Sequence, residues 1–528
     1  MSGTVATKSY LSKRGYVIRK ESITTEQLVS LKLELRGKPL VDDKYNLFNR
    51  KDITFPLYIE TKTKIYIPKV YGITHFGMPD NLTDNYKGQA WDSDLLIDFT
   101  GSLHPYQKEP CEILINELQN GSTGGILSLS TGFGKTVCAL YLLSVLKRKT
   151  LIIVNKVSLL KQWEREIQTF LPGTEIGFIQ GQKNVDVNGK HVVIAMLQSL
   201  AKIDYPDTLF EEFGVTLVDE IHNVSSPVFS RVLMRVNSMY TIGLSATPKR
   251  SDGCEYVFKW FIGDIVYKST TERRGLHPIV QVIKINSSDY QEIATVNKIT
   301  GQKQIMFSSM LSELTTMAKR NRLIIELLKQ KVTEQKRKVL VLSDRREHVK
   351  TLKKLLDEDG GVNFTYGLFL GQMKMTELER SKACQVILAT YQAFGEGVSE
   401  RELDTLFLVT PKKFIGHLQN TTKAESGKLE QIVGRIFRKE HSERHPLIVD
   451  FQDNFSVYTS QSKQRLAFYK THFSNIGFQD CQVDLDKHEL MSITAKIIVI
   501  KKETNTDTDT PIEDNQLSKN MYQQCLLD

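Results

Sequence analysis

Short apolar runs alternate with longer helix-spaced stretches along most of the chain, and the alternation occurs twice. The first series is Gly125-Ile126-Leu127, Leu151-Ile152-Ile153-Val154, Val192-Val193-Ile194, Thr216-Leu217-Val218 and Tyr240-Thr241-Ile242-Gly243. Runs this short and this apolar read as strands buried on both faces, the pattern of a parallel sheet covered by helices. The second series is Val339-Leu340-Val341-Leu342, Phe364 to Phe369, Val386-Ile387-Leu388, Leu406-Phe407-Leu408-Val409 and Leu447-Ile448-Val449. Strands separated by helix-length segments predict two doubly wound α/β domains in tandem.

Ahead of them, residues 1–95 alternate β-like runs such as Tyr16-Val17-Ile18 and Lys64-Ile65-Tyr66-Ile67 with turn residues, and hold Pro39, Pro56, Pro68 and Pro79. That pattern predicts a small accessory domain. The expected order is therefore an accessory domain over 1–95, a first α/β domain over 96–270, a connector over 271–315, a second α/β domain over 316–470 and a C-terminal extension over 471–528. The Thr-, Asp- and Asn-rich stretch from Thr504 reads as a disordered tail. A chain of 528 residues exceeds what one core usually organises, which agrees with several domains.

Two segments carry chemistry. Leu129-Ser130-Thr131-Gly132-Phe133-Gly134-Lys135-Thr136 follows the first apolar run and precedes the helix-spaced stretch Val137 to Leu146. A strand, glycine loop, helix order cradles phosphates on backbone N–H groups and a helix N-terminus; Lys135 then reaches the outer phosphates and Thr136 can ligate Mg²⁺. The second segment is Asp219-Glu220-Ile221-His222, directly after the run Val215 to Val218. An aspartate at such a strand end can hold Mg²⁺ and its glutamate neighbour can polarise the water that attacks a γ-phosphate. ATP and Mg²⁺ are the expected cofactors.

Around these segments the chain resembles the superfamily 2 helicases and translocases over roughly residues 100 to 460, a likeness that implies two RecA-like domains. Leu103-His104-Pro105-Tyr106-Gln107 resembles the family's adenine-reading element, with His104 where arginine is frequent; there Gln107 is the base contact. Val154-Asn155-Lys156 with Leu160-Lys161-Gln162-Trp163 resembles a segment that grips the nucleic-acid backbone through Lys156, although helix spacing places Trp163 in the core. Ile194 to Leu200 resembles the next such motif, offering Gln198 and Ser199, with Met196 in place of the usual threonine. Gly243-Leu244-Ser245-Ala246-Thr247-Pro248 resembles the coupling motif, in which Ser245 and Thr247 join hydrolysis to domain movement together with His222 and Gln431. Lys249-Arg250-Ser251-Asp252-Gly253 stands where XPB-related helicases have an Arg-Glu-Asp triplet, and Arg250 is the expected nucleic-acid contact.

In the second half, Leu388-Ala389-Thr390-Tyr391-Gln392 and Gly395-Glu396-Gly397-Val398-Ser399 resemble the motif that touches both nucleic acid, through Thr390, and nucleotide, through Gly397. Gln431-Ile432-Val433-Gly434-Arg435-Ile436-Phe437-Arg438 resembles the arginine-finger motif. Arg435 and Arg438 share one face if the segment is helical, which suits charge stabilisation of a γ-phosphate. The pattern is similar to the XPB and UvsW-like helicases of large cytoplasmic DNA viruses, the poxvirus transcript-release type included. It implies an ATP-dependent helicase or translocase, 3′ to 5′, acting on DNA in viral transcription, repair or recombination. An RNA helicase of the Asp-Glu-Ala-His type shares these motifs. A scaffold that kept the fold and lost the motor needs no such set of intact catalytic residues, and a P-loop kinase or transporter ATPase lacks the second α/β domain.

Composition adds little. Seventy basic against 61 acidic side chains give a net charge of +9, a weak pointer to a polyanion partner. Six cysteines, at 111, 138, 254, 384, 481 and 525, show no close pairing and no zinc-like spacing, which fits reduced thiols in an intracellular protein. No apolar stretch is long enough for a bilayer, and Lys8, Lys13 and Arg14 are not followed by an apolar block of the secretory kind. A soluble intracellular protein is expected, with no membrane partner, in host cytoplasm, nucleus or virion if viral.

Overall fold

The computed structural model describes residues 9–38, 54–79, 82–92, 97–130, 132–221, 227–246, 253–269, 278–296, 301–394, 400, 402–412, 429, 432–437, 444–473, 476–487 and 489–496. The chain divides into two compact units, Met1–Thr270 and Thr271–Asp528.

The first unit is built on an eight-stranded sheet. Its strands are β1 (Gly124–Ser128), β2 (Thr150–Val154), β3 (Ile176–Gln180), β4 (Asn184–Asp186), β5 (Val192–Met196), β6 (Val215–Val218), β7 (Tyr240–Ser245) and β8 (Ile265–Lys268). They lie in the order β4-β3-β5-β2-β6-β7-β1-β8. Every pairing is parallel except that of β3 with β4. Strands β1, β2, β5 and β6 are buried along their whole length, as the apolar runs require of a sheet with helices on both faces.

Helix α1 (Pro105–Gln119) leads into β1, and α2 (Lys135–Leu146), α3 (Val157–Phe170) and α4 (Leu197–Lys202) lie between successive strands. α3 inserts Leu160, Trp163 and Ile167 into the core, spacings of three and four that put all three on one face. α2 buries Cys138, Ala139, Leu140, Leu142 and Leu143.

The N-terminal residues form a four-stranded sheet in the order Ser9–Ser12, Gly15–Arg19, Lys64–Ile67, Ile59–Glu60, and it belongs to the same unit. Lys69 is 1% exposed and donates to the carbonyls of Thr123, Ser238 and Met239 and to the Thr241 hydroxyl at 2.8–3.2 Å. Those acceptors sit at the starts of β1 and β7, the sheet edge away from the phosphate loop. Arg14 pairs with Asp207, and the Asn237 side chain donates to the Ser12 carbonyl at 2.8 Å. One apolar cluster runs from Leu11 and Tyr16 through Val193 and Val218 to Phe258 and Ile262.

The second unit carries another eight-stranded sheet: β9 (Ile279–Asn286), β10 (Val339–Ser343), β11 (Tyr366–Phe369), β12 (Val386–Thr390), β13 (Thr405–Leu408), β14 (Leu447–Asp453), β15 (Gly477–Asp484) and β16 (Glu489–Lys496). The order is β11-β12-β10-β13-β14-β9-β15-β16, antiparallel only between β15 and β16. Residues 279–286, in the stretch expected as a connector, supply a strand of this sheet, and the segment after 471 supplies two more.

Two buried ion pairs anchor β14, one at its middle and one at its end. Asp453 receives Arg320 of helix α5 (Ala318–Thr333) through Nε and Nη2, at 2.8 and 2.9 Å, and the Tyr290 hydroxyl at 2.7 Å. Asp450 receives Arg465 of helix α6 (Ser456–His472) and the Tyr469 hydroxyl. All four charged side chains are at most 2% exposed, and forks that match carboxylates bidentately are the geometry in which such burial is tolerated.

Candidate nucleotide site

Strands β6, β7 and β1 are neighbours, so their C-terminal ends bring together three sequence segments far apart in the chain. β1 ends in the loop that opens α2. β6 ends at Asp219-Glu220. β7 ends at Ser245, whose carbonyl accepts the Leu129 N–H at 2.8 Å and so ties the loop's first residue to the coupling segment. The carboxyl edge of a parallel sheet is where ligands of such folds bind.

The loop is shaped by its glycines. Gly132 has φ 80° and Gly134 φ 90°, left-handed values that glycine adopts without penalty. A Cβ on Gly134 would lie 2.2 Å from Nε2 of Gln107. Gln107 is 3% exposed and is committed on both sides of its amide: Oε1 accepts the His104 N–H at 2.9 Å, closing a capping box on α1, and Nε2 donates to the Phe133 carbonyl at 2.8 Å. The side chain expected to read a base thus braces the phosphate loop. An amide has two donor hydrogens and two acceptor lone pairs, and these two bonds use one of each. Pro105 at the first position of α1 and the His104 cap make an ordinary helix start as well. Tyr106 stacks on His104 with ring centroids 5.2 Å apart and meets Phe133 edge-on at 5.0 Å. Ser130 donates its N–H to the Ser269 hydroxyl at 2.8 Å, a loop contact that sequence reading did not find.

Lys135 and Thr136 open α2. Lys135 Nζ lies 3.6 Å from Oε1 of Glu220. Glu220 itself has φ 51°, a conformation that costs a non-glycine residue about 1–2 kcal/mol and that tends to be retained at functional sites. Asp219 is 9% exposed, and its Oδ2 accepts the indole N–H of Trp163 at 2.9 Å. Burial first, and then the charge of Glu220, push the Asp219 carboxyl up to about 6, against the Trp163 hydrogen bond and the charge of Lys135. A cation at this point would relieve both causes. The donors are hard oxygens, one carboxylate and one hydroxyl beside a phosphate cradle, which is the set Mg²⁺ takes in company with phosphates; the residues fit the ion.

The expected nucleic-acid contacts of this unit occupy the next strand ends, β2 and β5. Lys156 caps α3. Gln198 is exposed and donates to the Asn155 carbonyl at 2.7 Å, while the Ser199 hydroxyl accepts the Gly181 N–H at 2.8 Å. Met196 is buried at the end of β5. Thr131, His222, Thr247 and Arg250 lie outside the described residues.

In the second unit Thr390 ends β12, and its hydroxyl accepts the Ala393 N–H at 3.2 Å, capping a short helix. Arg435 sits in a 3₁₀ turn, Gly434–Phe437, with its guanidinium 5.2 Å over the Phe394 ring. Gly397, Gln431 and Arg438 lie outside the described residues.

Comparison with known proteins accords with this geometry. A protein of Acanthamoeba polyphaga mimivirus, which bears the name of an ATP-dependent RNA helicase, is 31% identical over 533 residues, covering 99% of this chain and 97% of the relative. The chain belongs to the superfamily 2 helicases of large DNA viruses. Residues 100–250 match the family described as the type III restriction enzyme res subunit. A helicase of Escherichia phage T5 is 26% identical over 351 residues, 66% of this chain and 72% of its own. A solved fragment of an HsdR subunit of a type I restriction enzyme from Vibrio vulnificus YJ016 shares the fold, with a TM-score of 0.51 at 18% identity over 75% of this chain and 72% of that one. This helicase is an ATP-hydrolysing enzyme, and its phosphate loop, acidic strand end and coupling strand fall inside the matched 100–250 segment. Among the described residues no helix is long and apolar enough to cross a membrane.

Proposed function

We propose that the protein is a DNA translocase or helicase that moves 3′ to 5′ and serves viral transcription, repair or recombination. The observation that carries the motor is the convergence of the Gly132–Lys135 loop, Asp219-Glu220 and Ser245 on three adjacent strand ends, with Lys156, Gln198 and Ser199 on the next two. Nucleotide and strand then bear on one edge of one rigid sheet. In this reading Lys135 and the loop N–H groups bind the phosphates, and Thr136 and Asp219 would hold Mg²⁺, which would neutralise phosphate charge. Glu220 polarises the attacking water, and the Gln107 amide contacts the base. Arg435 and Arg438 have the role of stabilising γ-phosphate charge that the motif resemblance gives them, and hydrolysis changes the grip on the strand. Thr390, Gly397, Arg250, His222, Thr247 and Gln431 have the contact and coupling roles that the motif resemblance gives them.

DNA is favoured because Asp219-Glu220-Ile221-His222, Gly395 to Ser399 and Ser245 to Arg250 are similar to XPB and UvsW. The name carried by the mimivirus relative favours RNA as the second reading. Phosphate contacts alone carry no sugar identity. Strand displacement on matched duplexes whose tracking strand is 2′-deoxy or 2′-hydroxyl separates the two: faster displacement on the 2′-deoxy strand is expected, and displacement confined to the 2′-hydroxyl strand would overturn the DNA reading.

A further inference from the structure

Trp163 has a bulky apolar body and one polar atom. The body shares the buried face of α3 with Leu160 and Ile167 and is 1% exposed. A buried indole N–H usually finds a partner, and here the partner is not a carbonyl of the surrounding core but Oδ2 of Asp219, at 2.9 Å. The Asp219 backbone is fixed as well, its N–H donating to the Ile153 carbonyl at the end of β2 at 3.1 Å. One carboxylate oxygen is thereby taken by a rigid aromatic donor, and the torsion of the carboxylate is set by the packing of a helix rather than by the ion it would meet. Lys156 is the N-cap residue of that helix, so the same rigid element joins the metal-side carboxylate to an expected strand contact.

We infer that Trp163 is a positioning residue for nucleotide-bound Mg²⁺: its indole N–H holds the Asp219 carboxylate in the orientation that receives the ion. The inference rests on the reading of Asp219 as the magnesium-side carboxylate. Partners that orient a metal ligand typically account for about 10–100-fold in metal affinity.

The test uses the full-length protein and Trp163→Phe, which keeps an aromatic ring and removes the N–H. Binding of a fluorescent ADP analogue is titrated with Mg²⁺ and repeated in EDTA. The variant is expected to need about 10–100-fold more Mg²⁺ for half its effect on ADP affinity, with metal-free ADP affinity unchanged. A variant that melts lower but keeps the wild-type Mg²⁺ midpoint would assign Trp163 to packing alone and overturn the inference. Wild-type binding that ignores Mg²⁺ would overturn the reading of Asp219 itself, a distinguishable failure. Should Trp163→Phe not fold, the wild type suffices. The chain has three tryptophans, and Trp91→Phe and Trp260→Phe assign their ¹⁵N-indole resonances by elimination. The Trp163 resonance is expected to move when Mg²⁺ is added to the ADP complex; a resonance that stays in place overturns the inference.

Discussion

Gly134→Ala tests the loop geometry in a single methyl group. The added Cβ meets two obstacles. The backbone stands at φ 90°, where an L-residue pays about 1–2 kcal/mol. The methyl would also lie 2.2 Å from Nε2 of Gln107, well inside contact distance, so the amide must leave the Phe133 carbonyl or the loop must shift. Losing that hydrogen bond costs about 0.5–1.5 kcal/mol. Together these give about 1.5–3.5 kcal/mol, which in a unit of this size lowers the melting temperature by roughly 3–14 °C. If the loop moves instead, the same energy emerges as an ADP affinity weakened about 10–400-fold. Differential scanning fluorimetry and ADP titration on Gly134→Ala, Gln107→Ala and the double variant separate the routes. Gln107→Ala removes the obstacle, so the double variant should cost at least about 1 kcal/mol less than the sum of the singles. Wild-type melting and binding in Gly134→Ala, or strict additivity in the double variant, would refute the reasoning.

Two further outcomes concern stability. Lys13 is 9% exposed, and burial lowers its ammonium to about 7 against the opposing charge of Glu211. An unfolded lysine keeps its proton to about 10.4, so between about pH 7 and 10 the unfolded chain binds more protons and stability rises with pH, by at most about 1.4 kcal/mol per unit. Urea denaturation of Lys13→Met across that range should show a flatter slope than wild type, and parallel slopes would contradict the burial argument. In the second unit Asp453→Ala leaves the Arg320 guanidinium in the core without its carboxylate and removes the 2.7 Å acceptor of the Tyr290 hydroxyl. A loss of about 3–5 kcal/mol is expected by chemical denaturation, and a change under about 1 kcal/mol would show that water reaches the pair.

Most of both sheets was legible because a strand buried on two faces leaves a plain apolar run: the expected strands at 339, 386 and 406 coincide with β10, β12 and β13 to within a residue or two. β9 escaped because Ile279-Val280-Gln281-Val282-Ile283-Lys284-Ile285 lies where a connector was expected, its partners β14 and β15 being far off in sequence. β15 escaped for a different reason. Gly477 to Asp484 mixes Gln and Asp with Phe, Cys and Val, and only its place against β9 and β16 makes it a strand. The phosphate loop and the acidic strand end were readable as local motifs. The Trp163–Asp219 bond and the Gln107–Phe133 brace were not, since spacing on a helix fixes which face is buried but not which atom a buried N–H meets. Lys69 was silent for the same cause: its four acceptors come from the loop before β1 and the start of β7, which only the folded chain assembles beneath it.

The central claim, that this site drives movement on nucleic acid, is met most directly by steady-state ATP hydrolysis. Turnover would be measured without nucleic acid and with duplex DNA, single-stranded DNA and single-stranded RNA, beside a Lys135→Ala control. The expected result is hydrolysis lost in the control and raised severalfold in wild type, most by DNA. Stimulation by RNA alone would move the assignment to an RNA helicase. A wild-type rate that no nucleic acid changes, with ATP still bound, would contradict the motor.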